Sequence, residues 1–225
     1  MKTVNIYTDG ACSGNQFDTN TGGWGAILEY GSAVKELSGG EPDTTNNRME
    51  LCALIAGLGA LREEGIAVRV FSDSSYLVTC LRDGWHERWQ ANGWMTQAKK
   101  PVENRDLWER LVAYLPRYDF RFYLVKGHIS GKSGEAELRR RYERFKENNG
   151  DGFSYEDFLH ITERNNRADQ LANLGMDGAR ARGGEGEREA PDTVWGAGKE
   201  EPDASRGAGL AGRDKSEEPE EAARV

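Results

Sequence analysis

The order of periodicities in the first 73 residues constrains this chain most. Thr3–Asp9 alternates, with Val4, Ile6 and Thr8 on one face and Asn5, Tyr7 and Asp9 on the other, the pattern of a half-buried strand. Gly22–Tyr30 reads as a second strand after a polar turn over Asn15–Gly22, and Val34–Leu37 as a short third. Leu51, Leu54, Ile55, Leu58 and Leu61 then recur at helical spacing, with Asn47 and Glu50 three apart as N-cap and capping-box partner. Ala67–Asp73 is a fourth strand. Short links pair strands antiparallel, whereas a helical crossover returns the chain parallel, so this order predicts a mixed sheet with a crossover helix.

Further elements follow. Ser75–Cys80 reads as a short helix, and Val102–Leu115 as an amphipathic one with Leu107, Leu111 and Leu115 four apart. Asp119–Val125 is a fifth strand, rich in aromatic and branched residues, and Asn165–Met176 a last helix. No internal repeat is visible.

Of the 225 residues, 30 are Lys or Arg and 38 are Asp or Glu, a net charge of -8. An acidic balance argues mildly against nucleic acid, because phosphate neutralisation needs clustered bases. The charge is uneven, however. Residues 177–225 hold 13 acids and 8 bases, and their only large apolar residues are Val194, Trp195, Leu210 and Val225. Such a stretch buries too little apolar surface to offset its ordering entropy and reads as a disordered acidic tail behind one domain, residues 1–176. There is no apolar run long enough for a membrane span and no signal-peptide pattern. Cys12, Cys52 and Cys80 are too scattered for a disulfide framework or a zinc site. A cytoplasmic setting is the expectation.

Four acids stand at positions where the pattern predicts order. Asp9 and Asp73 end strands, while Glu50 and Asp169 lie in the first turns of helices. Singly, each has an ordinary reading as a turn former or helix-terminus residue. If the strands of Asp9 and Asp73 are neighbours, both reach one sheet end, and the crossover helix can bring Glu50 there. Such a cluster repels itself unless hard cations cover it, and Mg²⁺ suits few carboxylates plus waters and phosphates. Two ions together suit phosphodiester cleavage.

At these residues the sequence resembles a known family. YTDGACSGN at Tyr7–Asn15, TTNNRMEL at Thr44–Leu51, SDSSY at Ser72–Tyr76, VKGH at Val125–His128 and NRADQLA at Asn166–Ala172 look like type 1 ribonuclease H, in family order. The resemblance covers about residues 2–176. It implies an α/β ribonuclease H-like fold, a five-stranded mixed sheet flanked by helices, with a helical insertion before the last helix. It also implies endonucleolytic hydrolysis of the RNA strand of RNA–DNA hybrids, leaving 5′-phosphate and 3′-hydroxyl ends. By that resemblance Asp9, Glu50, Asp73 and Asp169 bind two Mg²⁺ (Mn²⁺ is the other candidate), and Glu50 and Asp169 help position the attacking water. His128 handles protons or product release, a role that a near-neutral pKa suits. The alternative is a non-catalytic hybrid-binding module of the same fold, which would bind and not cut.

Hybrids are read through 2′-hydroxyls, shape and phosphates. The resemblance places Asn15, Asn46 and Ser75 at the RNA strand's minor groove, with Ser75 departing from the longer amide common there. Thr45 and Asn104 fall at a DNA-strand phosphate. Asn15 also reads as a turn residue, and Thr45, Asn46 and Asn104 as helix caps. Trp85, Trp89 and Trp94, with Lys99 and Lys100, resemble a substrate-binding protrusion. Arg82, Arg88, Lys99 and Lys100 are offset by Asp83, Glu87 and Glu103, so the expected grip is weak. The expected partner is the hybrid duplex, bound by a monomer.

An insertion, about residues 131–163, separates VKGH from the last helix. EAELRRRYERFKE reads as a solvated surface helix, its bases interspersed with Glu135, Glu137, Glu143 and Glu147; a basic contact beside the active site is the second reading. In ENNGDGFSYEDF, Glu147 and Gly152 fit positions 1 and 6 of a Ca²⁺ loop, but Asp157 falls at 11 rather than 12. The segment therefore reads as a turn at Asn149–Gly152 between two helices.

Overall fold

The computed structural model describes residues 2–13, 20–126 and 134–184. Five strands, β1 (Thr3–Ser13), β2 (Thr21–Tyr30), β3 (Ala33–Pro42), β4 (Ala67–Ser72) and β5 (Asp119–Leu124), form one sheet in the order β3-β2-β1-β4-β5. β1, β2 and β3 pair antiparallel, while β1–β4 and β4–β5 are parallel. The parallel pairs follow helical connections: α1 (Asn46–Gly59) precedes β4, and α2 (Ser75–Arg82), α3 (Trp85–Ala91) and α4 (Arg105–Val112) precede β5. α5 (Glu135–Asn149) and α6 (Tyr155–Gly184) complete the chain. The mixed sheet with its crossover helix is the one the periodicities predict.

The strands' alternation splits the core in two. On one face Val4, Ile6, Val68 and Val70 pack with Leu51, Leu54, Leu58, Leu77, Trp108 and Leu111, a mainly aliphatic cluster. On the other, Tyr7 and Phe71 pack with Phe145, Phe153, Phe158, Ile161, Ala168 and Leu171. Tyr7, Phe71 and Tyr123 stack across three strands at 5.0 Å spacings, and Phe153 stands edge-on to Tyr123 at 4.9 Å.

Several boundaries differ from the sequence reading: β1 runs past Asp9 to Ser13, and β3 extends over Ala33–Pro42. The N-cap of α1 is Thr45, whose hydroxyl accepts from the Arg48 N–H, not Asn47. The two competing capping residues stand two apart, and the cap fell to the earlier one, which leaves Asn46 and Asn47 in the first turn. The helix expected over Val102–Leu115 is shorter, with Asn104 in the left-handed region at φ 56° just before it. The last helix starts ten residues earlier than expected and runs on to Gly184, into the stretch read as tail. Ser154 opens it: the Asp157 carboxylate accepts from the Ser154 N–H at 2.8 Å, and the Asp157 N–H donates to Ser154 Oγ. The second half of the insertion is thus the first part of α6. The rest of 177–225, with Trp195, lies outside the described residues.

α5 is a surface helix, its charges mostly exposed as the simpler reading has it, but one face is packed. Phe145 is buried in the second face, with Leu138 and Tyr142 against it. Its last residue, Asn149, donates to the Leu124 carbonyl at 2.8 Å and accepts from the Leu124 N–H at 2.9 Å, pairing with the edge of β5 as a strand would. Arg82 adds bonds to the Phe122 and Asn148 carbonyls and to Asn149 Oδ1. No helix among the described residues is long and apolar enough to cross a membrane.

Candidate active site

Register places the acids. In the parallel β1–β4 pair Thr8 stands opposite Ser72, so the next residues stand side by side: Asp73 just beyond the end of β4, and Asp9 not at a strand end as expected but within β1, which runs on to Ser13 paired with β2. Gly10 then admits α1: a Cβ there would stand 2.5 Å from the Glu50 backbone nitrogen. With no side chain in the way, the first turn of α1 presses onto β1 and brings Glu50 to the strand end. Gly25, opposite Asp9 on β2, does the same for α6, since a Cβ would collide with the Ala168 carbonyl. That contact sets Asp169 over the same end.

Asp9, Glu50 and Asp73 each offer a carboxylate oxygen, all within 4.8 Å of one another. Asp9 and Glu50 are buried. Asp169 lines the same open cleft of about 330 Å³, together with Asn46 and the turn of β1 at Gly10–Cys12. Burial pushes the Asp9 carboxyl up to about 8, with Asp73 and Asp169 adding repulsion. Burial also raises Glu50 well above the usual carboxylate range, Asp73 and Asp9 adding to it. Glu50 Oε2 is buried with no hydrogen-bond partner among the described residues. A buried acceptor left in that state costs free energy, on the order of 1–3 kcal/mol, that a cation would recover. An all-carboxylate oxygen set with an orphaned acceptor fits a hard divalent metal.

The substrate candidates divide. Thr45 and Asn46 sit at the start of α1, both exposed, and Asn46 borders the cleft. Ser75 is the exposed first residue of α2, behind the capping Ser74. Asn104 holds the N-cap position of α4 but makes no capping bond with its side chain; Arg48 donates to its Oδ1 at 3.5 Å. Trp85 is exposed beside Trp89, which packs on the buried Trp108 at 5.3 Å. Lys99 and Lys100 are exposed on the loop between Met95 and Pro101, which pair in an isolated bridge. Asn15 and His128 lie outside the described residues.

Sequence reasoning missed Arg48. Its guanidinium pairs with both Asp106 oxygens at 3.0 and 2.9 Å and also reaches Glu41 and Asn104, tying α1 to α4. Its place inside TTNNRMEL, between the cap and Glu50, was the available signal. His86 and His160 sit in structural contacts. His86 is buried against the Cys80 carbonyl, and His160 meets Glu29 at 2.9 Å.

A family model described as RNase H matches residues 1–139. A ribonuclease H of Chlorobium phaeovibrioides (strain DSM 265 / 1930) is 57% identical over 127 residues, 56% of this chain and 84% of that protein. One of Moorella thermoacetica (strain ATCC 39073 / JCM 9320) is 55% identical over 128 residues, 57% of this chain and 82% of that protein. The fold resembles that of LC9-RNase H1, described as a type 1 RNase H with the type 2 active-site motif. The TM-score is 0.56 at 24% identity, covering 79% of this chain and 74% of that one. It also resembles the RNase H domain of PFV in solution, with a TM-score of 0.51 at 21% identity over 77% of this chain and 94% of that one.

Proposed function

The chain belongs to the ribonuclease H family, and from that premise we propose how it acts as an endonuclease on the RNA strand of RNA–DNA hybrids. The observation that carries the reading is the convergence of Asp9, Glu50 and Asp73, with Asp169 on the same cleft. These four are the metal-holding carboxylates. Two Mg²⁺ ions, or Mn²⁺, would lower the pKa of the attacking water and stabilise charge on the scissile phosphate.

The protein's own groups do the placing. Asp9 and Asp73, fixed by the β1–β4 register, form the rigid floor of the site. Glu50 and Asp169 come from helices on opposite faces and orient the attacking water from either side. Hydrolysis breaks the bond to the 3′ oxygen, leaving a 3′-hydroxyl and a 5′-phosphate. His128 takes the role of moving protons or releasing product. Asn46 beside the cleft and Ser75 on α2 contact the RNA strand, where 2′-hydroxyls distinguish it from DNA. Asn15 joins them. Thr45 and Asn104, bracketing Arg48, hold a DNA-strand phosphate, and Trp85, Lys99 and Lys100 meet the duplex further out.

Support for a hybrid substrate comes from the family, and a comparison of duplexes tests it. Labelled RNA–DNA hybrid, double-stranded RNA and double-stranded DNA are incubated with the protein and Mg²⁺. The reading expects cleavage of the hybrid, lost in Asp9→Asn and in Asp73→Asn. Binding without cleavage by the metal-supplied wild type would instead mark a hybrid-binding module.

A further inference from the structure

The family match ends at residue 139, within α5, so nothing in the comparisons assigns a role to this helix. Its five bases are not equivalent. Arg139 pairs with Glu135, Arg141 with Glu137 and Lys146 with Glu143. Arg140 and Arg144 are exposed, and neither has an ion-pair partner among the described residues. Four residues apart, they lie on one stripe of the helix. Glu147, also exposed, follows one turn after Arg144.

Position gives this stripe its meaning. Asn149 clamps the end of α5 to Leu124. Leu124 stands in register with Ser72 on β4, and Asp73 is the next residue. At about 1.5 Å per helical residue Arg144 lies roughly 7.5 Å, and Arg140 roughly 13.5 Å, along α5 from that clamp. With one strand spacing of about 4.8 Å added, Arg144 falls roughly 12 Å and Arg140 roughly 18 Å from the end of β4 that precedes Asp73. A duplex seated there carries its charges every 3.4 Å or so along each strand, so the stripe lies within about six base pairs of the site of cleavage. Lys126, two residues beyond Leu124, is also exposed. The Trp85–Lys100 protrusion belongs with α1 and α4, on the other face of the sheet.

We propose that α5 is a second duplex-binding element, in which Arg140 and Arg144 contact backbone phosphates of the hybrid and add to the weak grip of the protrusion. The proposal rests on the ribonuclease H reading above. It explains why an inserted helix is both packed into a core and bonded to the strand that ends beside the active site: a phosphate contact is useful only if it is held at a fixed distance from the chemistry.

Equilibrium binding of a fluorescent RNA–DNA hybrid, followed by anisotropy as salt is raised, tests this. The measurements use an Asp73→Asn background so that the hybrid survives, beside cleavage assays without it. Arg140→Glu with Arg144→Glu should weaken binding about tenfold at low salt and reduce the slope of log K against log salt by about two, with the loss in cleavage falling on KM. Lys35→Glu with Arg62→Glu, exposed cations elsewhere, makes the same change in net charge and should move neither. Unchanged affinity and slope in the α5 variant, or equal losses in the control, would overturn the proposal. Failure of the wild type to cut hybrids would instead overturn the ribonuclease reading, while the binding comparison still decides the role of α5.

Discussion

The two faces of the sheet are covered by different means. One carries α1, α2 and α4 on an aliphatic cluster built from a leucine stripe. The other carries α6 and the inserted α5 on an aromatic cluster, with Tyr7, Phe71 and Tyr123 as its floor. The candidate site lies at the seam, taking Glu50 from the first face and Asp169 from the second onto a floor supplied by the sheet. Neither face alone completes it, so the packing of an insertion matters to chemistry that the insertion does not touch.

The largest effect expected concerns the acids contributed by each face. Several kcal/mol of charge stabilisation corresponds to roughly a thousandfold in rate, the loss expected for Glu50→Gln in single-turnover hybrid cleavage. Asp169→Asn, at the rim of the cluster, should cost less, about tenfold to a hundredfold. Equal losses would mean that the faces contribute alike. The second prediction concerns packing. Phe153→Ala should destabilise by about 3 kcal/mol in denaturant unfolding, as much as Leu54→Ala on the other face. A loss below about 1 kcal/mol would reduce the insertion to a surface attachment.

The third is a pH dependence. Asp9 and Glu50 hold protons in the metal-free folded state that unfolded carboxylates release near pH 4. The folded state therefore binds more protons, and metal-free stability should fall as pH rises from about 4 towards 8. Thermal melts across that range check it: Asp9→Asn should flatten the fall, and Mg²⁺ should raise the melting temperature most at the alkaline end. The smallest effect is at Arg48. Its pair with Asp106 is partly exposed, so Arg48→Ala should cost no more than about 1 kcal/mol in stability. It should raise KM for the hybrid by freeing Asn104, and Arg48→Lys, lacking the bidentate fork, should not restore it.

What the sequence revealed follows from the range of the forces involved. Strand alternation and the leucine stripe are local, and they yielded the mixed sheet and the shared end of Asp9 and Asp73. The site was legible because its acids stand in recognisable motifs on regular elements, although Asp9 and Asp169 fall within β1 and α6 rather than at their ends. The start of α6 was not, because ENNGDGFSYEDF carries turn signals whose outcome depends on where Phe153 and Phe158 find apolar partners, and those lie on strands up to 150 residues away. Asn149 was equally hidden: an Asn before a Gly reads as a turn residue, and only the neighbouring edge of β5 makes it a clamp. Arg48 stood within a recognised motif, but its partner Asp106 is 58 residues away.

Strand-resolved cleavage tests the central claim most directly. An RNA–DNA hybrid labelled on either the RNA or the DNA strand is incubated with the wild type, with Mg²⁺ and with chelator. The account predicts internal cuts in the RNA strand alone, dependent on the metal and ending in 3′-hydroxyls. Cuts in the DNA strand, or RNA cleavage that persists in chelator, would contradict it.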